Sequence, residues 1–184
     1  MNTRLSHAEL RKVFAAFPTG VAAVAALIDH EPAGLAANSF VSVSLDPPLA
    51  SLCIAHASTT WPALRGASRL GISVLGAHQE VAGRQLSARG GDRFAELSWR
   101  ATDDGAVLLC EASAWFDCSI EQEITAGDHD IVLLRIHDLG ASDVSPLVFH
   151  GSTFRQLQAR QHAGADCVRP GTWGGRDLRH RLGA

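Results

Sequence analysis

The feature that most limits how this chain can fold is its succession of short extended apolar runs, joined by spacers too short to hold crossover helices. "GVAAVAALI" (20–28), residues 35–45, "LASLCIA" (49–55), "RLGISVL" (69–75), "VLLCEASAWFDCSIEQEI" (107–124), "DIVLLRIHDLG" (130–140), "PLVFH" (146–150) and "STFRQL" (152–157) all read as strands. A parallel neighbour needs a crossover of a dozen residues or more, and no strand–helix alternation runs through the sequence. The pattern predicts a mainly β fold, an antiparallel sheet closed into a barrel with a few helices outside it. The run from residue 107 is long for a flat sheet and is expected to curl or bulge.

Helical signals are few. Ser6 and Glu9 form an S-x-x-E capping box, with Leu10, Val13, Phe14 and Phe17 following at helical spacing until Pro18 and Gly20 stop the helix. "STTWPALRGA" (58–67) predicts a short helix with Thr60 as its cap and Pro62 in its first turn. "HQEVAGRQLS" (78–87) predicts another, and a glycine-rich loop, "ARGGDRF", follows it. "DHEPAG" (29–34) and Asp46-Pro47-Pro48 read as turns. Residues 1–157 form the expected domain. The segment 158–184 is expected to be a tail, either flexible or packed on a partner subunit.

Composition narrows the function classes. The 184 residues suffice for one domain with a sizeable core, and the 46% hydrophobic and 19% charged shares suit a soluble globular chain. A net charge of −3 offers no basic surface for nucleic acid. No apolar run reaches the about 20 residues of a membrane span. The start, "MNTRLSHAELRK", lacks the apolar stretch of a secretory signal, so a cytoplasmic location is expected. Cys53, Cys110, Cys118 and Cys167 form no CxxC pair and are expected to be free thiols, buried in a reducing compartment.

Several chemistries lack their signature. There is no G-x-G-x-x-G after a strand, no G-x-S-x-G elbow, and the single lysine, Lys12, sits in the first helix rather than in a phosphate loop. The histidines and cysteines lack zinc-ligand spacing, and no metal site is expected.

Four segments are unusual together: "FPTGVAAV" (17–24), "GLAANSFVSVSLDPPL" (34–49), "GDHDIVLLRI" (127–136) and "PLVFHGSTF" (146–154). In this order and at these separations the chain resembles the flavin reductase family with the FMN-binding split barrel, over roughly residues 8 to 157. The resemblance implies a Greek-key split barrel, a homodimer with flavin near the subunit boundary, and service as the small reductase of a two-component monooxygenase.

The residues fit that chemistry. A flat ring with polar edges needs an apolar shelf and accessible backbone. The small side chains of Ala36, Ala37, Asn38 and Ser39 permit such close approach. By resemblance, Ala37, Asn38, Ser39 and Phe40 lie along the flavin ring. Ala36 stands where family members usually have threonine, so one hydroxyl contact to flavin is expected to be missing, at about 1 kcal/mol. For the phosphate, "HASTTW" (56–61) offers Ser58 and Thr60 at a helix start, where free N–H groups favour an anion. The resemblance adds Arg93 as a cation nearby. Helix capping by the hydroxyls and a solvated arginine are the plain structural alternatives.

In "GDH", Gly127 permits a tight turn, Asp128 can brace it, and His129 follows at the strand's beginning. The resemblance places His129, the candidate catalytic-site residue, where the nicotinamide stacks, with a role in orienting the donor. Phe149 and His150 are candidates to close the pocket. The implied reaction is reduction of FMN or FAD by NADH or NADPH, with reduced flavin released to a monooxygenase. Two alternatives stay open: a flavoprotein that retains FMN and reduces another acceptor, and a flavin-binding carrier or sensor without turnover.

Overall fold

The computed structural model describes residues 5–157, so the proposed tail and Cys167 lie outside the described residues. In chain order the first elements are α1 (His7–Phe14), β1 (Thr19–Gly20), β2 (Ala22–Ile28), β3 (Glu31–Ala37), β4 (Val41–Leu45) and β5 (Pro48–Ala55). They are followed by α2 (Trp61–Leu64), β6 (Leu70–Val74), α3 (Glu80–Leu86), β7 (Trp99–Ala101) and β8 (Val107–Leu109). The last are β9 (Ala114–Ala126), β10 (His129–Ala141), β11 (Leu147–His150) and β12 (Thr153–Gln156).

Sheet order forces closure. The main sheet has seven strands in the order β3-β2-β6-β9-β10-β5-β4, and every pairing in it is antiparallel. Its two edge strands, β3 and β4, are consecutive in the chain, with only Asn38, Ser39 and Phe40 between them. Laid flat, strands at about 4.8 Å spacing would put those edges about 29 Å apart. The chain from Ala37 to Val41 reaches about 14 Å. The sheet therefore curls until β3 meets β5, and the kink at 38–40 crosses the split. Jumps from β2 to β6 and from β5 to β10 give the order its Greek-key character.

Two apolar clusters explain why β2 reads as a continuous apolar run. Ala22, Val24 and Ala26 face the barrel interior with Leu52, Ile72, Val132 and Leu134. Ala23 and Ala25 face the other way, against Leu86 of α3, Val107 of β8, Phe94 and Leu147. A strand buried on both faces loses its polar alternation. The barrel interior and the layer outside it are thus packed on the same strand.

Several expectations change. "DHEPAG" is a turn only at Asp29 and His30, both at positive φ, and Glu31 already begins β3. The long run from 107 breaks into β8 and β9 around Glu111, which has a φ of 60°. One bulge lies within the run as expected, with Glu121 of β9 the extra residue opposite Leu133/Leu134, and a second puts His137 of β10 out of register between Ile136 and Asp138. The short strand β7, paired with β8, carries no strong sequence signal. α1 forms with its capping box in place, but none of its residues is buried; Val13, Phe14 and Phe17 are exposed. Cys53 is also exposed, because Leu52 and Ile54 on either side of it face the core and strand side chains alternate. Cys118 is buried and Cys110 half-buried.

Candidate functional site

The split opens a cleft of about 340 Å³ between the end of β3, the outer face of β5, the 57–60 turn and the loop after α3. Ala37, Asn38 and Ser39 form one wall, Ser58 and Thr60 line another, Arg93 enters from the loop, and His129 stands at the start of β10. Seven sequence-predicted residues, from four separated segments, therefore share one cavity.

Phe40 and Phe149 lie in an adjoining apolar cavity of about 840 Å³, between α1 and the 38–41 kink, with Phe14, Phe17 and Val41. A third space of about 190 Å³ lies between Ala37, Ser87, Phe149 and Phe154. Asn38 borders all three. His150 does not join them: it is exposed and lines none of these cavities. Adjacent strand residues point to opposite faces, so with Phe149 turned inward His150 faces solvent.

Each polar member is held by specific bonds. Ser39 Oγ accepts from the Cys53 amide at 2.9 Å and donates to the Cys53 carbonyl at 3.2 Å, anchoring the kink on β5. Ser58 Oγ accepts from the Trp61 amide at 3.2 Å and so caps α2, the role expected of Thr60. Thr60 Oγ1 instead accepts from Arg93 Nη1 at 2.5 Å, and the same nitrogen donates to the Gly34 carbonyl at 3.1 Å. α2 is a single turn of four residues, so its dipole is small.

The "GDH" turn is a two-residue hairpin between β9 and β10, with Gly127 at φ 69° as the geometry requires. His56 donates its amide to the Asp128 carbonyl at 3.0 Å, and His129 pairs with Ala55, so the turn is pinned to the segment that carries Ser58 and Thr60. His129 Nδ1 meets Asp128 Oδ1 at 2.7 Å, and that bond holds the Asp128 carboxyl below its ordinary range. Nε2 makes no hydrogen bond among the described residues.

Sequence reasoning missed Arg89, Ser87 and Cys53 on the cleft wall. Arg89 sits in the "ARGGDRF" loop already singled out for Arg93, which was the available signal. Cys53 was hidden by its apolar neighbours. Among the described residues no aspartate or glutamate lines the cleft, although arginines 89 and 93 and His129 do. Such a surface suits a ligand with an anionic end and a flat apolar body. No helix among the described residues is long and apolar enough to cross a membrane.

Residues 14–158 match the flavin reductase like domain. The chain is 41% identical over 128 residues to a probable flavin reductase of Rhizobium meliloti (strain 1021), aligning 69% of itself with 41% of that protein. It is 35% identical over 147 residues to the reductase component of the flavin-dependent trigonelline monooxygenase of Acinetobacter baylyi, 79% of this chain and 47% of that one. The chain thus spans less than half the length of these two relatives. Among solved structures, the Streptomyces globisporus C-1027 NADH:FAD oxidoreductase SgcE6, in complex with NAD and FAD fragments, superposes with a TM-score of 0.80 at 34% identity, covering 85% of this chain and 95% of that one.

Proposed function

The chain belongs to the flavin reductase like domain family, and from that premise we propose that it is an NAD(P)H:flavin oxidoreductase supplying reduced FMN or FAD to a partner monooxygenase. The observation that carries this reading is one cleft, lined by no carboxylate among the described residues, that gathers Ala37, Asn38, Ser39, Ser58, Thr60, Arg93 and His129. Small residues on the β3 wall give a ring access to backbone, while the hydroxyls and guanidinium offer donors to a phosphate. Phe40 and Phe149 supply apolar surface beside it.

The nicotinamide donates a hydride and the flavin accepts it, so the protein's task is alignment rather than proton transfer. His129, braced by Asp128, orients the donor at the open side of the cleft. Support for a monooxygenase partner comes from the trigonelline relative, itself a reductase component. The catalytic unit is residues 1–157, with 158–184 as a tail. A donor of this kind is maintained in the cytoplasm, where the protein is expected to act.

A homodimer fits the same reading. β4 is an edge strand whose Val41, Val43 and Leu45 are exposed, and Val13, Phe14 and Phe17 of the α1 region add further exposed apolar surface. Monomeric proteins seldom leave so much clustered apolar area uncovered.

The test is a steady-state assay at the NAD(P)H absorbance, with NADH and NADPH each offered FMN, FAD and riboflavin. Oxidation that saturates with free flavin bears the reading out. Flavin binding without turnover under every condition overturns it in favour of a carrier. Colour that survives dialysis, with turnover independent of added flavin, points to a retained prosthetic group.

A further inference from the structure

Strand alternation puts a second histidine–aspartate contact behind the cleft. His129 lines the cleft, and the next residue, Asp130, lies on the other face of β10, the face on which Val132 and Leu134 fill the barrel interior. There Asp130 Oδ1 meets His56 Nε2 at 3.0 Å and accepts from Thr125 Oγ1 at 3.0 Å. The hydrogen bond from His56, and after it that from Thr125, holds the Asp130 carboxyl below its ordinary range. An ionised carboxylate can only accept, so His56 Nε2 is the donor.

His56 thus grips the hairpin on both sides of His129. Its amide donates to the Asp128 carbonyl at 3.0 Å, and its ring holds the Asp130 side chain. A single hydrogen bond is a pivot, whereas two at different points fix an orientation. Beyond His56 the chain turns at once, the Ser58 amide donating to the Ala55 carbonyl at 2.9 Å, and residues 57–60 form the cleft wall. The far end of that wall is fastened elsewhere, by Trp61 Nε1 donating to Glu123 Oε1 at 3.1 Å and by Arg65 on the same carboxylate. The near end is fastened to the turn bearing His129 through His56. His56 does not itself line the cleft, and an exposed bond of this kind adds little to stability.

We propose that His56 is a positioning residue for the hydride donor: bonded to Asp130, it sets the placement of His129 against the 57–60 wall. This rests on the proposed donor-orienting role of His129.

His56→Ala, His56→Gln, His129→Ala and the variant carrying both alanines are compared with the unaltered chain. Fluorescence titration with flavin is paired with steady-state kinetics in NADH and NADPH. His56→Ala is expected to raise the donor KM roughly three- to fivefold, with kcat within about twofold. Glutamine offers an amide N–H in place of Nε2, so His56→Gln is expected to return KM to within about twofold of the unaltered chain. Because His56 acts through His129, the double variant is expected to match His129→Ala alone rather than multiply the two losses. A merely structural bond would lower the melting temperature of His56→Ala and leave the donor KM where it was, and that result overturns the proposal. So does a rise in KM that multiplies with that of His129→Ala, or one that His56→Gln leaves in place. An active chain in which His129→Ala leaves KM unmoved removes the group His56 is said to place, and the proposal falls with it. If the unaltered chain binds no flavin and oxidises neither donor, the functional reading itself fails.

Discussion

Ser39 ties the barrel where it splits: one hydroxyl accepts the Cys53 amide at 2.9 Å and donates to the Cys53 carbonyl at 3.2 Å. β3 and β5 are not paired as strands, so this side chain substitutes for a ladder at the seam. Ser39→Ala is expected to cost about 1 kcal/mol by urea denaturation, the scale of a hydrogen bond at a partly exposed site. Ser42→Ala, on the exposed part of β4, is expected to stay within about 0.5 kcal/mol. On the proposed function flavin affinity should fall in the first variant only, because the segment that Ser39 holds is the proposed wall for the ring.

His129 and Asp128 make a second test. The 2.7 Å contact fixes the imidazole with Nδ1 toward the carboxylate. A group that only orients the hydride donor should affect KM more than kcat. His129→Ala is therefore expected to raise the NAD(P)H KM roughly five- to tenfold, with Asp128→Asn giving a smaller rise in the same direction. Unchanged flavin affinity together with an unchanged donor KM in His129→Ala would falsify the role.

Gly71 offers a test of the layer between β6 and β8. A Cβ there would meet the Val107 carbonyl oxygen at 2.0 Å and its carbon at 2.6 Å. Backbone cannot step aside as a side-chain tip can, so Gly71→Ala is expected to cost about 3 kcal/mol or more. Gly90→Ala, with nothing within 4 Å, is expected to be neutral or slightly stabilising. Thermal denaturation of the two variants checks the contrast.

Much of this was legible in the sequence because it is local. The α1 capping box, the two-faced β2 run, the Asp46–Pro48 turn and the "GDH" hairpin all follow from residue type and spacing. The barrel's closure was not, since it depends on β3 and β4 falling at opposite ends of one sheet order. Helical spacing in α1 correctly announced a helix but not its burial: Phe14 and Phe17 line an open cavity rather than a core. Strand alternation, applied to β5, would have turned Cys53 outward. Applied to β11, it would have separated His150 from Phe149. The commitment of Arg93 to Gly34 and Thr60 joins residues 59 and 33 positions apart, and no spacing rule reaches that far.

The cysteines give the last prediction. Cys118 lies in the barrel interior, and burial, reinforced by the neighbouring Asp117 charge, pushes its thiol from 9.0 up to about 12. Between those values the unfolded chain releases a proton that the folded chain retains, so stability falls as pH rises through that window. Cys118→Ala should flatten the alkaline limb of the stability profile. Thiolate is the nucleophile, so at pH 8 Cys118 is expected to resist iodoacetamide until the chain unfolds. Cys53, exposed on the cleft wall, is expected to label readily and to be protected by saturating FMN. Peptide mapping by mass spectrometry separates the two. Cys53 labelling that FMN leaves unchanged, in protein shown to bind FMN, would place the flavin somewhere other than this cleft.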